Sequence, residues 1–141
     1  SAQAWDARVQ FPQAPYDQLD VNMATQRRGD VLARAEVRFA EVAESLRLIR
    51  DLLQRLPAGA LQRLPNRVSA ACEGLGWVEG WRGEVVVAVR IGADGRLDRV
   101  HPHDPSWQNW PLLEVGILGN IVPDFPLINK SFNLSYSGQD L

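Results

Sequence analysis

Between Asp30 and Leu56 the apolar residues Ala35, Phe39, Val42, Leu46, Ile49, Leu53 and Leu56 recur at spacings of four and three. That rhythm lines them up on one stripe and predicts a long amphipathic helix over residues 30–56. Asp30 is suited to cap its start, and Pro57 with Gly59 supplies its stop. Arg34, Arg38, Glu41, Glu44, Arg47, Arg50 and Asp51 fill the other faces. About 26 residues at a rise of 1.5 Å make a rod of roughly 39 Å. That is long for this chain, so the stripe calls for a cover: a second helix here, a dimer partner, or the rest of a larger protein.

The second pattern is that of extended chain. Val85 to Ile91 is rich in β-branched residues, Gly92-Ala93-Asp94-Gly95 is a turn, and Arg96 to His101 is extended again. The three together predict an antiparallel hairpin. Glu79-Gly80-Trp81-Arg82-Gly83-Glu84 leads into it, and His101 to Trp107 leads out. Residues 3–29 hold Pro12, Pro15, Trp5, Phe11 and Tyr16 without a period, an irregular arm expected to lean on a neighbour through its aromatics. Ala58 to Asn66 reads as a helical turn and linker ending at Pro65. Val68 to Trp77 fits either a short helix or a strand, with Gly74, Gly76 and Gly80 loosening the backbone before the hairpin. Pro111 to Leu118 predicts a short helix stopped at Gly119-Asn120. The prolines of Val122 to Pro126 predict loop or edge geometry, and Asn129 to Leu141 a polar tail pinned by Phe132, Leu134 and Tyr136. The fold class expected is α+β: one long amphipathic helix, a small antiparallel hairpin or sheet, and a short C-terminal helix. Residues 1–141 form one domain, with the arm at 3–29, the helix at 30–56, the β-rich part at 68–103, and the short helix and tail at 104–141.

Composition narrows the class. With 141 residues, 45% hydrophobic and 23% charged, the chain has the balance of one globular domain. A net charge of −2 gives no electrostatic ground for binding nucleic acid. One cysteine excludes an internal disulfide and any Cys-Cys metal clamp. No apolar run reaches the roughly 18 residues that span a bilayer, and no signal peptide is visible. Ser1-Ala2 has the look of a cleaved-tag scar, and the chain is expected to be a piece of something larger.

His101 and His103 share a face if the strand runs on to His103, and Asp104 follows. Two imidazoles and a carboxylate suit a divalent metal. Pro102 between them breaks the ladder and no third, helix-borne ligand is apparent, so loop hydrogen bonding is expected and no metal site. Cys72, among small apolar residues, is expected to pack rather than react. No nucleophile-elbow spacing supports a Ser-His-Asp arrangement. Arg82 is the candidate singled out, because it lies between an aromatic plane at Trp81 and a bare backbone at Gly83. A salt bridge to Glu79 or Glu84 is the plainer alternative. Trp107 and Trp110, three apart, suit a packing ledge.

Three stretches, in order and spacing, resemble one family. They are Pro15-Tyr16-Asp17 with Leu19-Asp20, then Arg28-Gly29-Asp30-Val31-Leu32-Ala33-Arg34 running into the long helix; Glu79-Gly80-Trp81-Arg82-Gly83; and Asp104 to Trp107 with Asn120 to Phe132. The chain is similar to the C-terminal part of the large catalytic subunit shared by respiratory complex I (the D-type subunit of NADH-quinone oxidoreductase) and membrane-bound energy-converting nickel–iron hydrogenases, most closely the formate hydrogenlyase type. The resemblance implies that Arg82, with Glu79 as a nearby acid, lines an electron-transfer or quinone cavity, and that the long helix belongs to a helical bundle. Partners implied are a small iron–sulfur subunit and membrane subunits, at the cytoplasmic side of the inner membrane. A parent linked to NAD or quinone is implied, with no cofactor in this stretch and no activity for it alone. Trp81 departs from the family's usual proline, and both Cys-x-x-Cys pairs that hold nickel are missing here, so no nickel is expected. Two readings of other classes stand beside this one. One is a standalone protein–protein interaction module using the apolar helix face and the tryptophans; the other is a small His-His-Asp metal hydrolase.

Overall fold

The computed structural model describes residues 3–60, 62, 68 and 70–139; the turn and linker expected over 58–66 falls largely outside them, as do both chain ends. The arm carries a one-turn helix, α1 (Ala7–Gln10), and a 3₁₀ turn at Tyr16–Gln18. The long helix α2 spans Val31–Arg55. Three strands follow, β1 (Cys72–Gly80), β2 (Gly83–Ile91) and β3 (Leu97–His103), in an antiparallel sheet of order β1-β2-β3. Helices α3 (Ser106–Gly116) and α4 (Phe125–Phe132) complete an α+β fold, with 3₁₀ turns at Val122–Asp124 and Ser137–Gln139.

Asp30 caps α2 as its type suggests, its Oδ1 accepting the Ala33 N–H at 2.6 Å. The ambiguous stretch is a strand. Its glycines lie within β1, with Gly74 and Gly76 paired to Val89 and Val87 of a valine-rich β2 that supplies the side chains they lack. Gly80 pairs with Gly83, so Trp81-Arg82 is the two-residue turn between β1 and β2 rather than part of a strand. Gly83 has φ +131, a region closed to residues with a Cβ, and that fixes why a glycine follows Arg82. The β2–β3 turn closes through Gly92 N–H to Arg96 O at 2.9 Å.

Pro102 does not break the ladder: β3 runs through it, opposite Val87, to His103. β3 is an edge strand, where a residue without an N–H donor is tolerated. The loop expected over Val122 to Pro126 is also overturned. Pro123 sits in a 3₁₀ turn and Pro126 in the first turn of α4, where its N–H would have had no intrahelical partner. The C-terminal part therefore holds two helices where one helix and a tail were expected. Helix α3 starts earlier than Pro111, which lies inside it. Asn133, at φ 54, ends α4 in the left-handed conformation.

Among the described residues only Ala7, Ala33, Leu48, Leu113 and Ile128 are buried apolar side chains. The reason is the orientation of α2. Its predicted apolar stripe points outward, with Phe39 77% exposed, Leu53 64% and Val42, Leu46, Ile49 and Leu56 also exposed. Its inward face carries Ala33, Glu44 and Leu48, and Arg34 and Arg38 reach from it to the end of α4. An amphipathic helix normally does the reverse.

Candidate functional site

The β1–β2 turn is where the fold converges. The arm packs against the sheet beside it: Trp5 Nε1 donates to Glu84 at 2.7 Å, Ala7 N–H donates to Glu79 Oε2 at 2.9 Å, and Phe11 tilts against Trp77 with ring centroids 5.3 Å apart. Glu79 and Glu84 are directly opposed across the strands and share a face. Burial raises the Glu79 carboxyl above the ordinary glutamate range, against the Ala7 hydrogen bond, with Asp6 close by. Asp6 caps α1 and pairs with Arg8 at 2.6 Å, and Arg8 reaches Glu41 of α2 at 2.9 Å. The Asp6 hydrogen bond raises the Arg8 guanidinium, outweighing its burial.

Arg82 forms no salt bridge with Glu79 or Glu84. Its Nε donates to Asn133 O at 2.7 Å, just past α4, and its own carbonyl accepts from Asn109 of α3 at 3.4 Å. The turn is thus tied to both C-terminal helices. A cavity of about 470 Å³ on one side is lined by Trp5, Asp6, Arg8, Glu41, Glu79 and Arg82. A second, of about 300 Å³, is lined by Arg34, Arg38, Arg82, Asn109, Leu112 and Phe132 among others. Glu79 and Arg82 share the first cavity, so the structure brings both sequence candidates to one wall.

The sequence reading passed over Arg34 and Arg38 as surface charge. Arg34 stacks on Phe132, 4.1 Å from the ring centroid, and donates to Ser131 Oγ at 2.9 Å. Arg38 donates to the carbonyls of Ser131 and Phe132. Burial lowers both guanidiniums from their ordinary value. The available signal was their i, i+4 spacing, which sets both on one helix face.

The other candidates lie apart. His101 and His103 share a face of β3, but the His103 ring meets Trp107 at 6.2 Å, edge to face. Burial alone would raise Asp104, yet hydrogen bonds from Ser106, with Arg82 and His103 nearby, hold it below the ordinary aspartate range. Among the described residues no three His, Cys, Asp or Glu side chains gather as a metal site. Cys72 is exposed at the start of β1, not packed as expected. It is eight residues from Gly80, roughly 26 Å along an extended strand, so the one thiol lies far from Arg82.

The family described as respiratory-chain NADH dehydrogenase, 49 kDa subunit, matches residues 1–73. The chain is 36% identical over 133 residues to the carbon monoxide-induced hydrogenase of Rhodospirillum rubrum, covering 94% of this chain and 37% of that protein. It is 32% identical over 145 residues to formate hydrogenlyase subunit 5 of Escherichia coli, covering 99% of this chain and 25% of that one. Against the D-type subunit of the NADH-quinone oxidoreductase of Geobacillus thermodenitrificans the identity is 33% over 114 residues, 77% of this chain and 31% of the relative. A chain of the membrane-bound sulfane sulfur reductase, an archaeal respiratory membrane complex, superposes on the whole of this chain with TM-score 0.85 and 26% identity; 40% of that chain is covered. The chain therefore spans between a quarter and two fifths of the length of these relatives.

Proposed function

Because this chain belongs to the family of the 49 kDa subunit of respiratory-chain NADH dehydrogenase, we propose that it is the C-terminal part of an oxidoreductase subunit. In this reading its β1–β2 turn forms one wall of an electron-transfer or quinone cavity, and its outward helix stripe docks the rest of that subunit. The observation that carries it is the reversed polarity of α2. A stripe of Phe39, Val42, Leu46, Ile49, Leu53 and Leu56 in water is the mark of an interface awaiting its other half. The relatives that cover the whole of this stretch extend well beyond it, so helices of the same subunit are the natural cover.

Arg82 and Glu79 are the residues assigned to the cavity wall. The bond from Nε to Asn133 O holds the guanidinium and the Asn109 amide holds the Arg82 backbone, so that its charge is pre-positioned for an anionic or electron-rich group. Partner subunits, an iron–sulfur one and membrane ones, belong to the same reading, as does a peripheral position on the cytoplasmic side of the inner membrane. Among the described residues no helix is long and apolar enough to cross a membrane. Quinone- or NAD-linked chemistry is assigned to the assembled parent. Nickel does not fit the residues of this stretch: its one cysteine is remote from Arg82, and soft thiolates are what would hold it.

The test uses the parent protein in its own host. An Arg82→Ala variant should assemble normally and lose roughly a hundredfold in turnover, the scale of removing one positioned electrostatic group. A Leu46→Glu, Ile49→Glu variant should fail to assemble. Normal turnover in the first overturns the cavity assignment, and normal assembly of the second overturns the docking one.

A further inference from the structure

The second cavity, behind Arg82, has no role in that reading. Three guanidiniums, those of Arg34, Arg38 and Arg82, line its about 300 Å³ together with the Asn109 amide and one carboxylate, that of Glu41, while Leu112 and Phe132 give it an apolar floor. None of the three arginines has a carboxylate within salt-bridge distance among the described residues; each of the eight ion pairs present there involves another arginine. Arginine stays ionised at any physiological pH, so the cavity cannot shed this charge.

The acids nearby act on these arginines only at a distance, their hydrogen bonds being made elsewhere. Glu41 accepts from Arg8, Asp30 caps α2, and Asp104 holds the Ser106 N–H. The carbonyls of Ser131, Phe132 and Asn133 at the end of α4 take some of the guanidinium donors. Three guanidinium charges against the one Glu41 carboxylate of the lining and about half an elementary charge at the helix C-terminus leave the lining net positive. Arg82 commits its Nε alone and Arg38 one hydrogen on each terminal nitrogen, so unused donors remain on both.

We propose that this cavity binds a small organic carboxylate, its two oxygens held by the Arg38 and Arg82 guanidiniums and the Asn109 amide, and a short apolar body resting on Leu112 and Phe132. Bidentate guanidinium pairing suits a carboxylate, and the floor selects for a tail. The inference shares Arg82 with the proposed cavity wall, but its test reads carboxylate binding alone, so that failure here leaves the assembly and turnover predictions standing.

The experiment titrates the protein with sodium butyrate, acetate or sulfate, chloride holding ionic strength constant, and follows the arginine Nε–H signals by NMR. Saturable shifts confined to Arg34, Arg38 and Arg82 are expected. Butyrate should bind roughly tenfold more tightly than acetate, because it buries two further methylenes. Arg82→Gln should weaken butyrate at least about tenfold, the loss expected for a charged hydrogen-bond partner, while Arg90→Gln, at an exposed pair with Glu73, should not. Arg38→Gln removes a cap from α4 and tests folding as much as binding, so the wild-type titration and Arg82→Gln decide. Uniform, non-saturating shifts at every arginine, sulfate binding more tightly than butyrate, or full butyrate affinity in Arg82→Gln would each overturn the proposal.

Discussion

Replacing Glu44 by glutamine should make the stability of this protein less dependent on pH, and the size of the effect follows from its surroundings. Glu44 lies buried on the inward face of α2 and fastens the arm to it. Its carboxylate accepts from Arg47 Nε at 2.8 Å and Nη2 at 2.6 Å, and from the Asn22 N–H at 2.8 Å. The Arg47 hydrogen bonds pull its pKa down, burial pushes it up, and Asn22 adds to the pull, leaving it at about 2 against an ordinary 4.5. Taken whole, that depression corresponds to roughly 3 kcal/mol. Arg47 is 44% exposed, so solvent screening reduces the contribution to about 1–2 kcal/mol. Because the folded-state pKa is the lower one, this stability is present in full above about pH 4.5 and disappears as pH falls through about 2. Glutamine keeps an acceptor oxygen for Asn22 and removes the charge together with one of the two acceptors that Arg47 uses. Urea unfolding followed by tryptophan fluorescence, at neutral pH and in steps down to about pH 2, should show the two proteins about 1–2 kcal/mol apart at pH 7 and converging in acid. Other carboxylates titrate equally in both and cancel in the difference. A gap that stays constant across that range refutes the argument.

Two substitutions and one titration probe the turn and the helix. Gly83→Ala places a Cβ at φ +131 and 3.2 Å from Pro105 Cβ, and should destabilise by about 1–3 kcal/mol while weakening the Arg82 tie to Asn133; an unchanged unfolding midpoint would contradict it. Carbon-detected NMR titration should place the Glu79 carboxyl above the ordinary glutamate range, so that stability associated with its protonated form is lost as pH rises through that raised value. A midpoint at or below the ordinary range would rule this out. Asp30→Ala removes the acceptor for the Ala33 N–H and should cost about 1 kcal/mol, with faster amide exchange confined to the first turn of α2.

Local rules reach far along this chain. Periodicity, an Asp cap and a Pro-Gly stop locate α2 to within a residue or two of Val31–Arg55. A run of valines and an Asp-Gly turn locate β2 and β3. Where local rules err, they err chiefly on proline. Pro102, Pro123 and Pro126 suggest interruptions, yet each sits inside regular structure. The reason is positional: on an edge strand or in a first helical turn, the missing N–H removes no bond that would otherwise form. Pro111 suggests a helix start, whereas α3 begins five residues before it, at Ser106. The glycines of β1 mislead similarly, since their β-pairing depends on the valines of β2, a partner several residues away.

By itself the sequence determined the class of fold, the Asp30 cap of α2, the hairpin and a resemblance that the family match bears out. It also singled out Arg82, because side-chain chemistry and neighbours are local properties, while Glu79 came in as the nearby acid that the resemblance implied. The orientation of α2 was not local. A period of 3.6 says that one stripe is apolar, but which side meets the rest of the chain depends on what is there to meet it. Here the C-terminal end of α4 offers carbonyls rather than carbon, and arginines answer them. Only the folded chain could bring Arg34 and Arg38 of α2 to Arg82 of the β1–β2 turn, across more than forty residues, because that meeting is set by the packing of α2 against α4 and not by any spacing along the backbone.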